Sequence, residues 1–276
     1  MSLVAAIVLS LAASAACPAE PALAQLVAAS DRVIVGIYTA PEALAREAER
    51  ATPDHVDLPL SGAVMIKGRA PPPKAIRVYP KDAPYKPALA ALKAHAGAPA
   101  IVFVSEPKDE PEISYFAGYT PEALQAAAPD RVAAVRAEVA RQRGLLAAWK
   151  LDRKTPHFNE VRGLVAKLGM APRAEQARVF LKLEALGPDA VPAIVAVMDD
   201  RRRLRHPYIS LANQAPDAFE AYRHYGAERV VDGLAAVLNQ ITGENFGGID
   251  AETERERAAA LAGWRVYVAD LRCGMP

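Results

Sequence analysis

The spacing of apolar positions along this chain changes near residue 150. Before it they come in short, β-branched runs broken by Pro and Gly. Arg32-Val33-Ile34-Val35-Gly36-Ile37-Tyr38 reads as a strand, and Val64-Met65-Ile66-Lys67-Gly68 as the end of a second. Lys74 to Tyr79 alternates, with Ala75, Ile76 and Val78 among basic residues. Ala100-Ile101-Val102-Phe103-Val104 is a continuous apolar run, suited to a strand buried on both faces. Ile113 to Tyr119 reads as a last strand, stopped by Gly118. Pro41 to Arg50 suits a short charged helix with Pro in its first turn, and Pro71-Pro72-Pro73 a loop. Five short strands with turn signals between them predict a small barrel or sandwich.

From Thr120 the period becomes helical. Thr120-Pro121-Glu122 has the makings of a helix start: Thr as N-cap, Pro at the first position, an acid in the first turn. The helix should continue from Asp130 to Trp149 with Val132, Val135, Val139, Leu145 and Leu146 on its apolar face. Further stripes follow. One holds Phe158, Val161, Leu164, Val165 and Leu168, and another Val179, Phe180, Leu183 and Leu186. Val191, Ile194, Val195 and Met198 come next, then Val230, Val231, Leu234, Val237, Leu238 and Ile241. Leu261, Trp264, Tyr267, Val268 and Leu271 close the chain. Each reads as apolar on one face, so the helices should stack on one another, as in an α-solenoid.

The first sixteen residues, MSLVAAIVLSLAASAA, have the layout of a secretory signal: an apolar run too short to span a bilayer, then small residues before Cys17. The segment carries no Lys or Arg. An exported protein, periplasmic or secreted, is the expectation, and no later stretch is long and apolar enough to cross a membrane. A formal charge of +1 offers no global field for nucleic acid or anionic lipid. The two cysteines, Cys17 and Cys273, stand near opposite ends of the chain. In an oxidising compartment they can pair, or serve as one lipid-modified residue and one free thiol. Ser14-Ala15-Ala16 lacks the Leu usual three positions before a lipidated cysteine.

Two resemblances sharpen the division. Leu186-Gly187-Pro188-Asp189-Ala190-Val191-Pro192-Ala193-Ile194 resembles the hinge and second helix of a HEAT-type repeat. Ile241-Thr242-Gly243-Glu244-Asn245-Phe246-Gly247, followed by Trp264-Arg265-Val266-Tyr267, is similar to the terminal unit of bacterial HEAT-like arrays. The match covers roughly residues 157–271, and Asp199 to Pro216 departs from it as too long and polar for an inter-helix turn. The first half more weakly resembles the netrin-like domains of exported proteins, which include the tissue inhibitors of metalloproteinases and have an OB-type barrel. Cys17, the run Ala28 to Gly36, Val64 to Gly68 and Gly97 to Val104 carry this. It implies a mature chain beginning at Cys17 rather than a cut after Ala24. In the inhibitors the N-terminal Cys of a Cys-x-Cys start binds the enzyme's zinc through its amine and carbonyl, a part that only Cys17 could take here, and Ala19 stands in place of the second Cys.

The expectation is therefore an α+β protein of two domains. Residues 17–125 would form a netrin-like, OB-like β domain, 126–155 a connecting helix, and 156–276 a HEAT-like solenoid. His55, His95, His157, His206 and His224 fall in no metal-type spacing, and no nucleophile elbow, phosphate loop or dinucleotide fingerprint appears, so no cofactor is expected. Glu220 and His224 are four apart and suit a surface helical pair, and Phe219, Tyr222 and Tyr225 suit helical packing. Asp199-Asp200 suits a solvated turn.

The segment from Asp199 to Asn213 stands out, because long ordered connections are disproportionately functional. Arg201, Arg202, Arg203 and Arg205, with His206 and Tyr208, suit a carboxylate or phosphate. The competing expectation is that these arginines pair with Asp199, Asp200 and nearby acids and hold the loop. The functional expectation is an exported, non-catalytic binding or scaffold protein of the cell envelope. It would meet a protein partner or anionic ligand through the solenoid's concave face or the arginine segment. An exported hydrolase and an inhibitor of an exported protease acting through the barrel edge are the alternatives.

Overall fold

The computed structural model describes residues 17–40, 55–78, 89–106, 112–117, 120–212, 221–249 and 251–274. The export signal, the helix expected at 41–50, Gly118, Tyr119, Phe219 and Glu220 lie outside them.

Five strands close into a barrel: β1 (Arg32–Tyr38), β2 (Val56–Lys67), β3 (Ala75–Val78), β4 (Pro99–Ser105) and β5 (Ile113–Phe116). Their order is β1-β2-β3-β5-β4, and β1 pairs back onto β4. The β3–β5 pair is parallel, and the other pairs are antiparallel. Closure leaves no open edge in the ring. The arrangement is compatible with an OB-type barrel. A short strand β6 (Leu124–Ala126) adds to β4 from outside.

Alternation along β4 explains its unbroken apolar run. Ala100, Val102 and Val104 pack with Ile34, Leu58 and Ile76. Ile101 and Phe103 pack with Leu23, Leu26 and Val27 of helix α1 (Pro21–Ala29) and with Val135 and Val139 of helix α3 (Pro129–Ala148). Helix α2 (Leu89–His95) sends Leu92 into the first of these cores. Helix α3 is thus a wall of the barrel's outer core as well as a connection. Thr120 does not begin it: Pro121–Ala123 is a single 3-10 turn leading into β6.

The solenoid expected for residues 156–276 is not what forms. The segment holds α4 (Phe158–Ala166), α5 (Arg173–Ala185), α6 (Val191–Val197), a hairpin of β7 (Ile209–Ala212) and β8 (Tyr222–Tyr225), α7 (Val230–Thr242) and α8 (Glu254–Leu271). In a solenoid each repeat touches its neighbours alone. Here α7 packs on α5, α6 and α8 and against β7, and α8 reaches α1 and α3 of the first half. One core runs from Phe158 to Val268.

The reason lies in α7, which is not one-faced. Every residue from Val230 to Leu238 is buried. Gly233, Ala235 and Ala236 make this possible by letting neighbours close in. A Cβ on Gly233 would meet the Phe180 ring at 2.6 Å and Ile209 at 2.8 Å. The residues Tyr222 and Tyr225, expected on a helix, lie on strand β8.

The two halves are fastened along a polar seam. Arg141 on α3 donates to Asp270 on α8 at 2.7 and 2.9 Å and to Glu138 at 2.7 and 2.8 Å. Glu106, after β4, takes Arg32 at 2.5 Å and also Arg255 of α8. Gln25 of α1 donates to Glu244 at 2.8 Å. A disulfide joins Cys17 to Cys273, with their Cα atoms 5.7 Å apart.

Candidate functional site

The segment after α6 begins as a clamp on α7. The first N–H groups of a helix have no partner within it. Val231 N–H donates to the Asp200 carbonyl and Val230 N–H to the Arg202 carbonyl, both at 3.0 Å. Arg203 bridges to Arg229 as in a short antiparallel ladder, and Leu204 N–H donates to the Glu228 carbonyl at 2.8 Å.

The arginines divide. Arg202 donates to the carbonyls of Val165 at 2.9 Å and Leu168 at 3.1 Å, where α4 ends, and to Asp200 at 2.6 and 3.0 Å. A cation is favourable at a helix C-terminus, and the Asp200 carboxylate raises the guanidinium above its ordinary value. Arg201 pairs with Asp199 at 2.9 Å and with Glu254 at 3.5 Å. Arg229 donates to the Arg201 carbonyl at 2.8 Å and pairs with Glu254 at 3.3 Å.

Beyond them the pairing thins. Arg203 is 78% exposed, with Glu228 at 3.7 Å. Arg205 is exposed and has no ion pair or hydrogen bond among the described residues. The backbone of His206 is held by Gln176 of α5, whose Nε2 donates to its carbonyl at 2.6 Å.

This carries the chain into the hairpin. Ile209 and Leu211 turn into the core, so Ser210 turns outward, opposite His224. Ser210 Oγ lies 2.9 Å from His224 Nδ1, and His224 is on strand β8 rather than on the helix expected for it. The Tyr208 ring is 6.3 Å from the His224 ring. Tyr208 and Tyr222 are 62% and 54% exposed. Sequence reasoning named Arg201 to Tyr208 but assigned the aromatic positions after them to a helix.

A second feature went unread in the sequence. Between α1, α3, α8 and the end of β2 lies a cavity of about 160 Å³. Its apolar walls include Leu146, Phe246 and Val266, and its polar side chains are Asp31, Lys67, Gln142, Arg143 and Ser30, whose hydroxyl is spent on the Leu26 carbonyl. Lys67 donates to the carbonyls of Val27 at 2.5 Å and Ser30 at 2.6 Å, at the end of α1. Burial lowers its pKa to about 8 against the opposing attraction of Asp31, with Arg143 adding repulsion. Burial raises the pKa of Asp31, although Oδ2 accepts the Glu106 N–H at 2.9 Å. The contributing segments are far apart in sequence, and none carries a motif.

Among the described residues, no group of three or more His, Cys, Asp or Glu is placed to hold a metal ion, and no helix is long and apolar enough to cross a membrane. No family profile matches the chain, and no curated protein or solved structure does.

Proposed function

We propose that this is an exported, non-catalytic binding protein that meets an acidic partner surface with the outer part of its arginine segment and the adjoining hairpin. The observation that carries the reading is the split among the arginines. Arg201 and Arg202 are spent on the fold. Arg203 and Arg205 are exposed beside Tyr208, on backbone held by α5 and α7. Exposed arginine and tyrosine on a rigid support suit carboxylate recognition at low entropic cost. Export is supported by the apolar run before Cys17 and by the Cys17–Cys273 bridge, since disulfides persist in oxidising compartments. The barrel's strand order is compatible with the OB-type reading of the first half.

The test is photo-crosslinking in the producing cell from position 205. A discrete adduct is expected, lost when Arg203 and Tyr208 are changed to Glu and Ala. An absent adduct, or one indifferent to those changes, ends the proposal.

A second reading rests on one contact. Ser210 and His224 make a nucleophile–base pair at hydrogen-bond distance, which an exported hydrolase would need. Both are exposed on a two-stranded hairpin, where no described residue covers them. Ester hydrolysis by the purified protein that disappears in Ser210→Ala would favour this reading over binding.

A further inference from the structure

The geometry points to the junction cavity as a binding site for a small organic carboxylate, its apolar body between α1 and α8 and its anionic group between Lys67 and Arg143. This stands apart from the arginine segment and does not depend on it.

The cavity exists because small residues face each other across it. Ala28 and Ala29 of α1 look toward Ala259, Ala262 and Gly263 of α8. Gly263 is required there, since a Cβ would meet the Phe246 Cβ at 2.6 Å and its ring at 2.7 Å. The ring is thereby held as a wall of the void. An apolar cavity of roughly 150 Å³ admits a molecule the size of benzene, and this one is about 160 Å³. A single ring or a short branched chain fits.

The polar groups choose the charge. An ammonium has three donors. Lys67 uses two on Val27 and Ser30, which leaves one N–H for an occupant. Arg143 also lines the cavity, is exposed, and has no hydrogen bond or ion pair among the described residues. Against these two cations stands one carboxylate, Asp31, already accepting the Glu106 N–H. The other nearby acid, Glu106, is taken by Arg32 and Arg255. Gln142 is committed to the Ala24 carbonyl and Glu138. The wall is thus net cationic, with its unspent donors on cations. An anion with an apolar body completes both the packing and the charge.

Benzoate is the probe, with benzyl alcohol as its neutral counterpart, followed on the intact protein by amide chemical shifts and calorimetry. One site is expected, with shifts confined to residues 27–31, 139–146 and 259–266. Arg143→Gln should weaken benzoate about tenfold, the worth of a charged hydrogen bond. Benzyl alcohol should bind weaker than benzoate by a similar factor. Ala262→Leu fills the void and should abolish binding in a folded protein. The assignment is overturned by no binding at about 10 mM benzoate, a concentration at which even a weak ligand of that size registers. Shifts centred elsewhere, equal binding of the alcohol, or indifference to Arg143→Gln overturn it as well.

Discussion

The arginines of the seam and core and those of the outer segment are the same residue put to opposite uses. Arg257 of α8 is fully buried on a fully buried Asp232, at 2.7 and 3.1 Å, and also reaches the Ala251 carbonyl. Asp232 in turn accepts the N–H of Arg229 at 2.8 Å, at the start of α7. Arg141 and Arg255 likewise meet carboxylates on other elements. In the outer segment pairing thins after Arg202: Arg203 keeps a single exposed contact with Glu228 at 3.7 Å, and Arg205 has none among the described residues. Burial raises the demand for a partner. A buried guanidinium needs its charge paired, whereas water can answer an exposed one. Abundant arginine is therefore no sign of a binding surface until its partners are known.

The largest effect should come from the most buried pair. Arg257→Met leaves Asp232 buried without its cation, and a loss of about 3–5 kcal/mol is expected in urea denaturation. A loss within experimental error would show that the pair is dispensable.

The seam is next. Replacing Cys17 and Cys273 together by Ser frees two ends 256 residues apart, and should cost about 2–4 kcal/mol. Unchanged thermal unfolding in the double variant would mean the polar seam alone holds the halves together.

Lys67 gives the seam a pH signature. Its folded pKa, about 8, is below its ordinary 10.5. Between those values the unfolded chain holds a proton the folded one has released. Stability should therefore rise with pH across that window, by about 3 kcal/mol. Lys67→Met should lose this rise; equal pH dependence in both proteins would contradict the burial of the ammonium.

The segment should split under mutation. Arg202→Ala removes donors from the carbonyls ending α4 and should cost about 1–2 kcal/mol. Arg203→Glu should stay within about 0.5 kcal/mol while abolishing the adduct crosslinked from position 205. Thermal melts and crosslinking on both variants test this. Equal destabilisation by both changes would erase the distinction between anchored and available arginines.

Much of the local structure can be read from spacing. The run 100–104 is a strand, Asp130 to Ala148 is helix, and Trp264 is buried against Phe246 and Tyr267, as its stripe implies. The first half of β2 is hidden because Pro59, Ser61 and Gly62 interrupt its alternation. The hairpin is hidden because its alternating core positions, Ile209 and Leu211, are too few to outweigh the helical spacing of Tyr222 and Tyr225. The outstanding segment was legible from its composition, but the division within it was not.

By itself, the sequence determined most of the strands and helices, though not the β7–β8 hairpin or the first half of β2, and which side chains must leave water, because period and hydrophobicity are local properties. Tertiary structure alone decided that α7 is buried on all sides rather than stacked in a row. It also decided that Arg201 and Arg202 are anchored while Arg205 is not, and that five small residues of α1 and α8 leave a cavity beside Lys67. Each of these depends on which distant surfaces meet. A residue's spacing says that it must be covered or solvated, and the folded chain supplies the partner.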